Sequence, residues 1–185
     1  MGDPLVLEAG GVRATILPAD GGRIGSLTVD GRELLVTGDP DLKRWGSYPM
    51  VPFAGRIREG RFSFRGASHQ LPLGSPPHAI HGVVWDRPWR VDDARTLSIE
   101  LDERWPYRGR VVQRLALDEH EMTFQLALES AEPMPATIGW HPWFRRVLEP
   151  GGRPVVVDFA ADAMLVRDAS GMPSGERTVP PPGPW

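Results

Sequence analysis

The sequence predicts an all-β fold, an antiparallel β-sandwich, on three observations: an abundance of turn formers, apolar residues at every second position, and no sustained helical periodicity. Glycine (21) and proline (20) make up more than a fifth of the 185 residues. That composition suits many short strands joined by turns and leaves little room for long helices. Apolar residues at i, i+3 and i+4 nowhere persist over three turns, so a βαβ architecture finds no support.

In chain order, residues 5–9 and 12–17 flank Gly10-Gly11, and residues 26–29 and 33–36 flank Asp30-Gly31-Arg32. An Asp-Gly step between short apolar runs is a strong hairpin signal. Residues 61–65 place Phe62 and Phe64 on one face and turn at Gly66-Ala67 into residues 68–71. Leu97, Ile99 and Leu101 alternate with Thr96, Ser98 and Glu100. The run 108–117 is separated by Asp118-Glu119-His120 from residues 121–129, where Met122, Phe124, Leu126 and Leu128 alternate with Thr123, Gln125, Ala127 and Glu129. Three consecutive antiparallel strands, the last half-buried, are the expectation. Residues 179–185, Val-Pro-Pro-Pro-Gly-Pro-Trp, cannot join a central strand, because proline lacks the N–H that a ladder needs. The expected organisation is one sandwich over residues 1–178 and a proline-rich tail over 179–185.

Twenty-one basic against 24 acidic residues, a net charge of -3, leave no footprint for nucleic acid or an anionic membrane surface, and favour a neutral partner. The absence of cysteine excludes disulfides, thiolate catalysis and Cys-ligated metals. Met1-Gly2-Asp3-Pro4 lacks the basic and apolar regions of a signal peptide, and no stretch approaches the ~18 apolar residues of a membrane span. A soluble, cytoplasmic protein is expected.

Three histidines stand in unusual company. His78 and His81 bracket Ala79-Ile80, and His141 lies in Ile138-Gly139-Trp140-His141-Pro142-Trp143-Phe144. A histidine in a cleft can give or take a proton near neutral pH. Trp140, Trp143 and Phe144 form an aromatic wall suited to the C–H faces of a sugar ring. The alternative for a lone histidine is a ring satisfied by a backbone carbonyl at a loop end. A third reading gives three nitrogens to a metal ion, but His78 and His81 at i, i+3 of an extended segment point to opposite faces, so no metal is expected. His69 and His120, beside turns, are expected to face solvent. In the segment 48–62, two prolines and a glycine fix a loop leading to a strand, and Arg56 follows Gly55. Its guanidinium fork suits vicinal hydroxyls, carboxylate or phosphate; the alternative is a surface ion pair with Glu59 or another acid. Trp85, Trp89, Trp105, Trp140 and Trp143 cluster around the histidine segments, although each alone is as well explained by the core.

Tyr48-Pro49-Met50-Val51-Pro52-Phe53-Ala54-Gly55-Arg56-Ile57, Gly60-Arg61-Phe62, Ile80-His81-Gly82 with Trp89, Trp105-Pro106-Tyr107 and Gly139-Trp140-His141-Pro142-Trp143-Phe144 resemble, in order and spacing, the landmarks of the aldose 1-epimerases. Asp168 to Glu176 is similar to that family's Asp-x-x-Gly-x-Pro-Thr-Gly-Glu loop. The resemblance implies a galactose mutarotase-like supersandwich with a sugar cleft, in which Arg56, Trp140 and Trp143 bind substrate, His81 sits against the ring and His141 protonates the ring oxygen. It implies interconversion of the α and β anomers of galactose, glucose, another aldose or a sugar phosphate, an isomerase activity with no cofactor. The family's catalytic glutamate lies beyond the Pro-Ser-Gly-Glu loop, and Glu176 belongs to that loop rather than to the base position. The chain is therefore expected to be an incomplete sandwich, weakly active or inactive alone, and self-associating to cover exposed strands. The other reading left open is a non-catalytic carbohydrate-binding module of the same fold.

Overall fold

A computed structural model describes residues 2–181 and Gly183. The chain divides into two compact units, Met1–Arg145 and Arg146–Trp185. The first contains β1 (Leu5–Ala9), β2 (Val12–Leu17), β3 (Arg23–Val29), β4 (Arg32–Glu33), β5 (Ser47–Met50), β6 (Arg56–Ile57), β7 (Arg61–Phe64), β8 (Ala67–Gln70), β9 (Ala79–Ile80), β10 (Arg90–Asp93), β11 (Thr96–Glu100), β12 (Arg110–Leu117), β13 (Met122–Glu129) and β14 (Gly139–Pro142). One sheet runs β1-β2-β3-β5-β14, with β4 added to β3; a second runs β10-β11-β12-β13; β6 pairs with β9 and β7 with β8. Every strand pair is antiparallel, as the sequence predicts.

Ala14, Ile16 and Ile24 of the first sheet meet Leu97, Ile99, Val111 and Leu115 of the second in one buried cluster. A buried amide ties the layers: Gln113 of β12 donates from Nε2 to the Gly22 carbonyl at 2.7 Å. The β12–β13 hairpin pairs Leu117 with Met122, and the Asp118 carboxylate accepts the N–H groups of His120 and Glu121, which fixes the turn. Met122, Phe124, Leu126 and Leu128 are half-buried, as their alternation predicts.

The strand expected over 33–36 is shorter. It stops at Glu33, whose carboxylate accepts the N–H groups of Leu27 and Leu35. Leu35 then bridges Phe144, and the Val36 N–H goes to the Trp143 carbonyl. A side chain competing for ladder donors has turned the chain to a new partner.

In the second unit β15 (Met164–Arg167) pairs with β16 (Pro173–Thr178). The segment expected as a loop, 168–176, is thus half turn and half strand. The Asp168 carboxylate accepts the N–H groups of Ser170 and Met172 and the Ser170 hydroxyl, which closes the turn. Val179–Pro181 follow without strand pairing; Pro182, Pro184 and Trp185 of the expected tail lie outside the described residues. No helix among the described residues is long and apolar enough to cross a membrane.

Candidate functional site

Strand register assembles the site. β14 pairs with β5 so that His141 is directly opposite Tyr48, and residues directly opposite share a face. The two rings stack, with centroids 5.1 Å apart and planes at 14°. Trp143, two residues on, returns to the same face and also stacks on His141, at 5.3 Å and 17°. Tyr48 is fully buried, its hydroxyl donating to the Lys43 carbonyl, which also accepts the Trp143 indole N–H at 2.8 Å. His141 is therefore packed against two flat rings that the same carbonyl anchors.

His81 arrives from another element. It follows β9 with a left-handed φ of 60°, and Gly82 continues at φ 79°. Its backbone N–H donates to the Gly55 carbonyl, and the Gly55 N–H donates to His81 Nδ1 at 3.2 Å. A backbone N–H can only donate, so Nδ1 is the bare acceptor and the neutral ring carries its hydrogen on Nε2. The double turn brings the His81 ring edge-on to His141, with centroids 5.0 Å apart. Arg56 opens β6 opposite Ile80, one residue from His81. Its side chain is exposed and, among the described residues, makes no ion pair, so the expected alternative of a salt bridge with Glu59 is not what is found.

Burial pushes the His81 pKa from its ordinary 6.5 down to about 4, and His141, Arg56 and Lys43 add in the same direction. Burial lowers that of His141 too, partly offset by its own carbonyl and that of Pro142. Its Nδ1 is buried without a partner in hydrogen-bonding geometry. Between pH 6.5 and about 4 an unfolded His81 holds a proton that the folded one refuses. Stability therefore rises with pH across that window: it is complete above 6.5 and is lost as pH falls towards 4. Urea midpoints measured at pH 4.5 and 7 are expected to show this slope, and His81→Gln should flatten it; an unchanged slope would remove His81 as its source.

Residues 3–176 match the model of the aldose 1-epimerase family. The chain belongs to the aldose 1-epimerase family. A putative aldose 1-epimerase from Escherichia coli K12 has the same fold with a TM-score of 0.79 at 25% identity, over 97% of this chain and 62% of that one. A galactose mutarotase-like protein from Clostridium acetobutylicum gives a TM-score of 0.79 at 21% identity, over 96% and 61%. The Escherichia coli K12 protein YphB, described only as uncharacterized, is 33% identical over 105 residues, 52% of this chain and 36% of its own length. The chain thus spans about three-fifths of the length of the two solved relatives.

Of the residues the sequence singles out, this aldose 1-epimerase family member gathers His81, His141, Arg56 and Trp143. Trp140 is not brought to them. Next to His141 along the strand, it faces the other way, its indole N–H donating to Gln113 Oε1 at 3.0 Å and its ring tilted against Phe124. Period-2 alternation makes that unavoidable. Trp89 and Trp105 are buried core, and His78 is buried with its Nδ1 accepting the Glu59 N–H. His69, expected in solvent, is half-buried between Phe62 and the Tyr107 hydroxyl, because the hairpin register sets it opposite Phe62. His120 is exposed. Among the described residues no three His, Asp or Glu side chains are grouped to hold a metal.

Trp85, one of the tryptophans clustered in the sequence, lies 6.1 Å from Tyr48, ring to ring. Two further contributors, Lys43 and Arg23, escape a sequence reading. Lys43 sits with its ammonium 5.4 Å from the Trp85 ring. Arg23, fully buried, donates to the carbonyls of Asp20, Leu42, Trp45 and Trp85, fastening the 42–45 loop and Trp85 behind the stack. A basic residue opening a strand carries no signal of that role, and only the aromatic-rich run after Leu42 hints at the loop.

Proposed function

We propose that this face binds an aldose and carries the acid half of an aldose 1-epimerase site. The observation that supports it is the edge-on pair of His81 and His141 at 5.0 Å, with His141 stacked on both Tyr48 and Trp143. Anomer interconversion needs two coordinated proton movements. A base takes the proton of the 1-hydroxyl, the C1–O5 bond breaks as C1–O1 becomes a carbonyl, and O5 accepts a proton from His141. Rotation about C1–C2 and reversal of the same steps deliver the other anomer, so the reaction balances on the sugar, one acid and one base. Arg56 holds ring hydroxyls with donors that no carboxylate of the described chain occupies.

The charged neighbours acting on His81 are His141, Arg56 and Lys43, all of one sign or neutral. A carboxylate base entering such a site would favour the imidazolium of His141, so readiness of the acid would follow arrival of the base. We assign that base to a segment outside these residues. The same cationic surroundings suit the second reading, a sugar-binding unit without turnover.

Polarimetry with freshly dissolved α-D-galactose or α-D-glucose separates the two. Residues 1–185 alone are expected to leave mutarotation near its spontaneous rate. A form extended to family length should accelerate it and lose about 100-fold or more on His141→Ala, the range of a positioned general acid. Acceleration that survives His141→Ala would remove His141 from the mechanism; none from the extended form would leave the binding reading.

A further inference from the structure

We infer that Tyr48 and Trp143 are positioning residues that keep a proton on His141, their ring faces supplying the attraction for an imidazolium that its other neighbours lack. This rests on the reading of His141 as the acid. An acid serves only while it holds its proton, and the surroundings of His141 oppose one. Burial disfavours the charged ring, and only the carbonyls of His141 and Pro142 act the other way. The titratable groups packed against it are the Tyr48 phenol on β5 and the His81 imidazole after β9, with centroids 5.1 and 5.0 Å away. Burial pushes the phenol up to about 12 and the His81 imidazole down to about 4, so at neutral pH neither is an anion. The charged side chains acting on His81 beside it, Arg56 and Lys43, are cationic. Asp41, which acts on Tyr48 from the loop before β5, is ion-paired to Lys43 at 3.7 Å.

Aromatic faces are what remains. The face of such a ring carries negative charge density, so a cation within about 6 Å of its centroid is drawn to it, more strongly where water is excluded. The Tyr48 and Trp143 rings lie nearly parallel to the imidazole, at 14° and 17° with centroids at 5.1 and 5.3 Å, so they present faces rather than edges. Both are fixed independently of His141, since the Tyr48 hydroxyl and the Trp143 indole N–H donate to the Lys43 carbonyl. The attraction is therefore in place before the proton arrives and needs no reordering. The ring nitrogens lie in the imidazole plane, so stacking favours the charge without occupying the N–H that an acid gives away. Nδ1 is buried, which leaves Nε2 as the nitrogen open to a ligand. The carboxylate base proposed above would add to what the two rings begin.

An NMR titration of the His141 ring in residues 1–185, assigned by its absence in His141→Gln, tests this without any sugar, so it can fail while the aldose reading stands. Trp143→Leu keeps an apolar body against the ring but no aromatic face, and is expected to weaken proton binding at His141 about fivefold, the scale of one cation–ring contact. Trp143→Phe restores a face without the indole N–H and should stay within about twofold of the native affinity. The sign separates this role from packing alone. Were Trp143 only a shield from water, its loss would relieve desolvation and proton binding would strengthen. A strengthened or unchanged affinity in Trp143→Leu would overturn the proposal, as would equal losses in Trp143→Leu and Trp143→Phe, which would trace the effect to the indole N–H. In a form extended to family length, Trp143→Leu should also draw the alkaline limb of the pH–rate profile to lower pH. A limb that stays put while the NMR midpoint moves would remove His141 as the acid, and with it the functional half of the proposal.

Discussion

Gly82→Ala is expected to cost more than ~4 kcal/mol and to leave little cooperatively folded protein, against a total domain stability of roughly 5–15 kcal/mol. Two costs coincide there. Gly82 has a φ of 79°, which costs any residue with a Cβ about 1–3 kcal/mol. A Cβ would also lie 1.9 Å from the Val51 carbonyl oxygen and 2.8 Å from the Val51 nitrogen. Those atoms are main chain, fully buried with Val51, and the same oxygen accepts the Val83 N–H, so nothing can swing aside. Gly66→Ala separates the two costs: its φ is 83°, but a Cβ there meets nothing within 4 Å, so the expected loss is only the ~1–3 kcal/mol of backbone strain. Urea midpoints of the two variants decide it, and equal losses would refute the close approach of Val51 to Gly82.

Arg23→Met is expected to cost about 3–5 kcal/mol and to loosen the site from behind. Burial holds the Arg23 pKa at about 10, below its ordinary value, so the charge itself is disfavoured where it sits. Four carbonyl acceptors at 2.6 to 3.2 Å outweigh that. Methionine fills much of the volume, relieves the desolvation of the charge and leaves all four carbonyls bare. The bare carbonyls win, because each buried unpaired group costs about 1–3 kcal/mol. The guanidinium also lies 4.5 Å from the Trp45 ring and 5.4 Å from that of Tyr48, so near-UV circular dichroism should fall along with the urea midpoint. A loss below ~1 kcal/mol with unchanged aromatic ellipticity would contradict this role.

The fold was legible wherever one residue pair of the ladder decided a face. Alternation in 122–129 and the Asp118 turn are local, and both appear as read. Residues 33–36 depart from their apolar pattern because the Glu33 carboxylate takes the N–H groups of Leu27 and Leu35. In the site, His81, His141 and Arg56 were visible from their motifs, but which tryptophan joins them was not. That depends on parity along β14: Trp143 shares the face of His141, and Trp140 must take the other. Nothing local in the sequence marks the role of Tyr48, since only the β5–β14 register puts it opposite His141. Arg23 and Lys43 act through contacts to carbonyls and rings far along the chain, for which sequence has no local code.

The central claim is that the face formed by Arg56, His81, His141 and Trp143 holds a sugar. Titrating residues 1–185 with D-galactose and D-glucose while following tryptophan emission tests it directly, because Trp143 stacks on His141 and Trp85 borders Tyr48. A saturable change that weakens about tenfold or more in Arg56→Ala is the predicted result. No saturable change with either sugar, or one indifferent to Arg56→Ala, would contradict it.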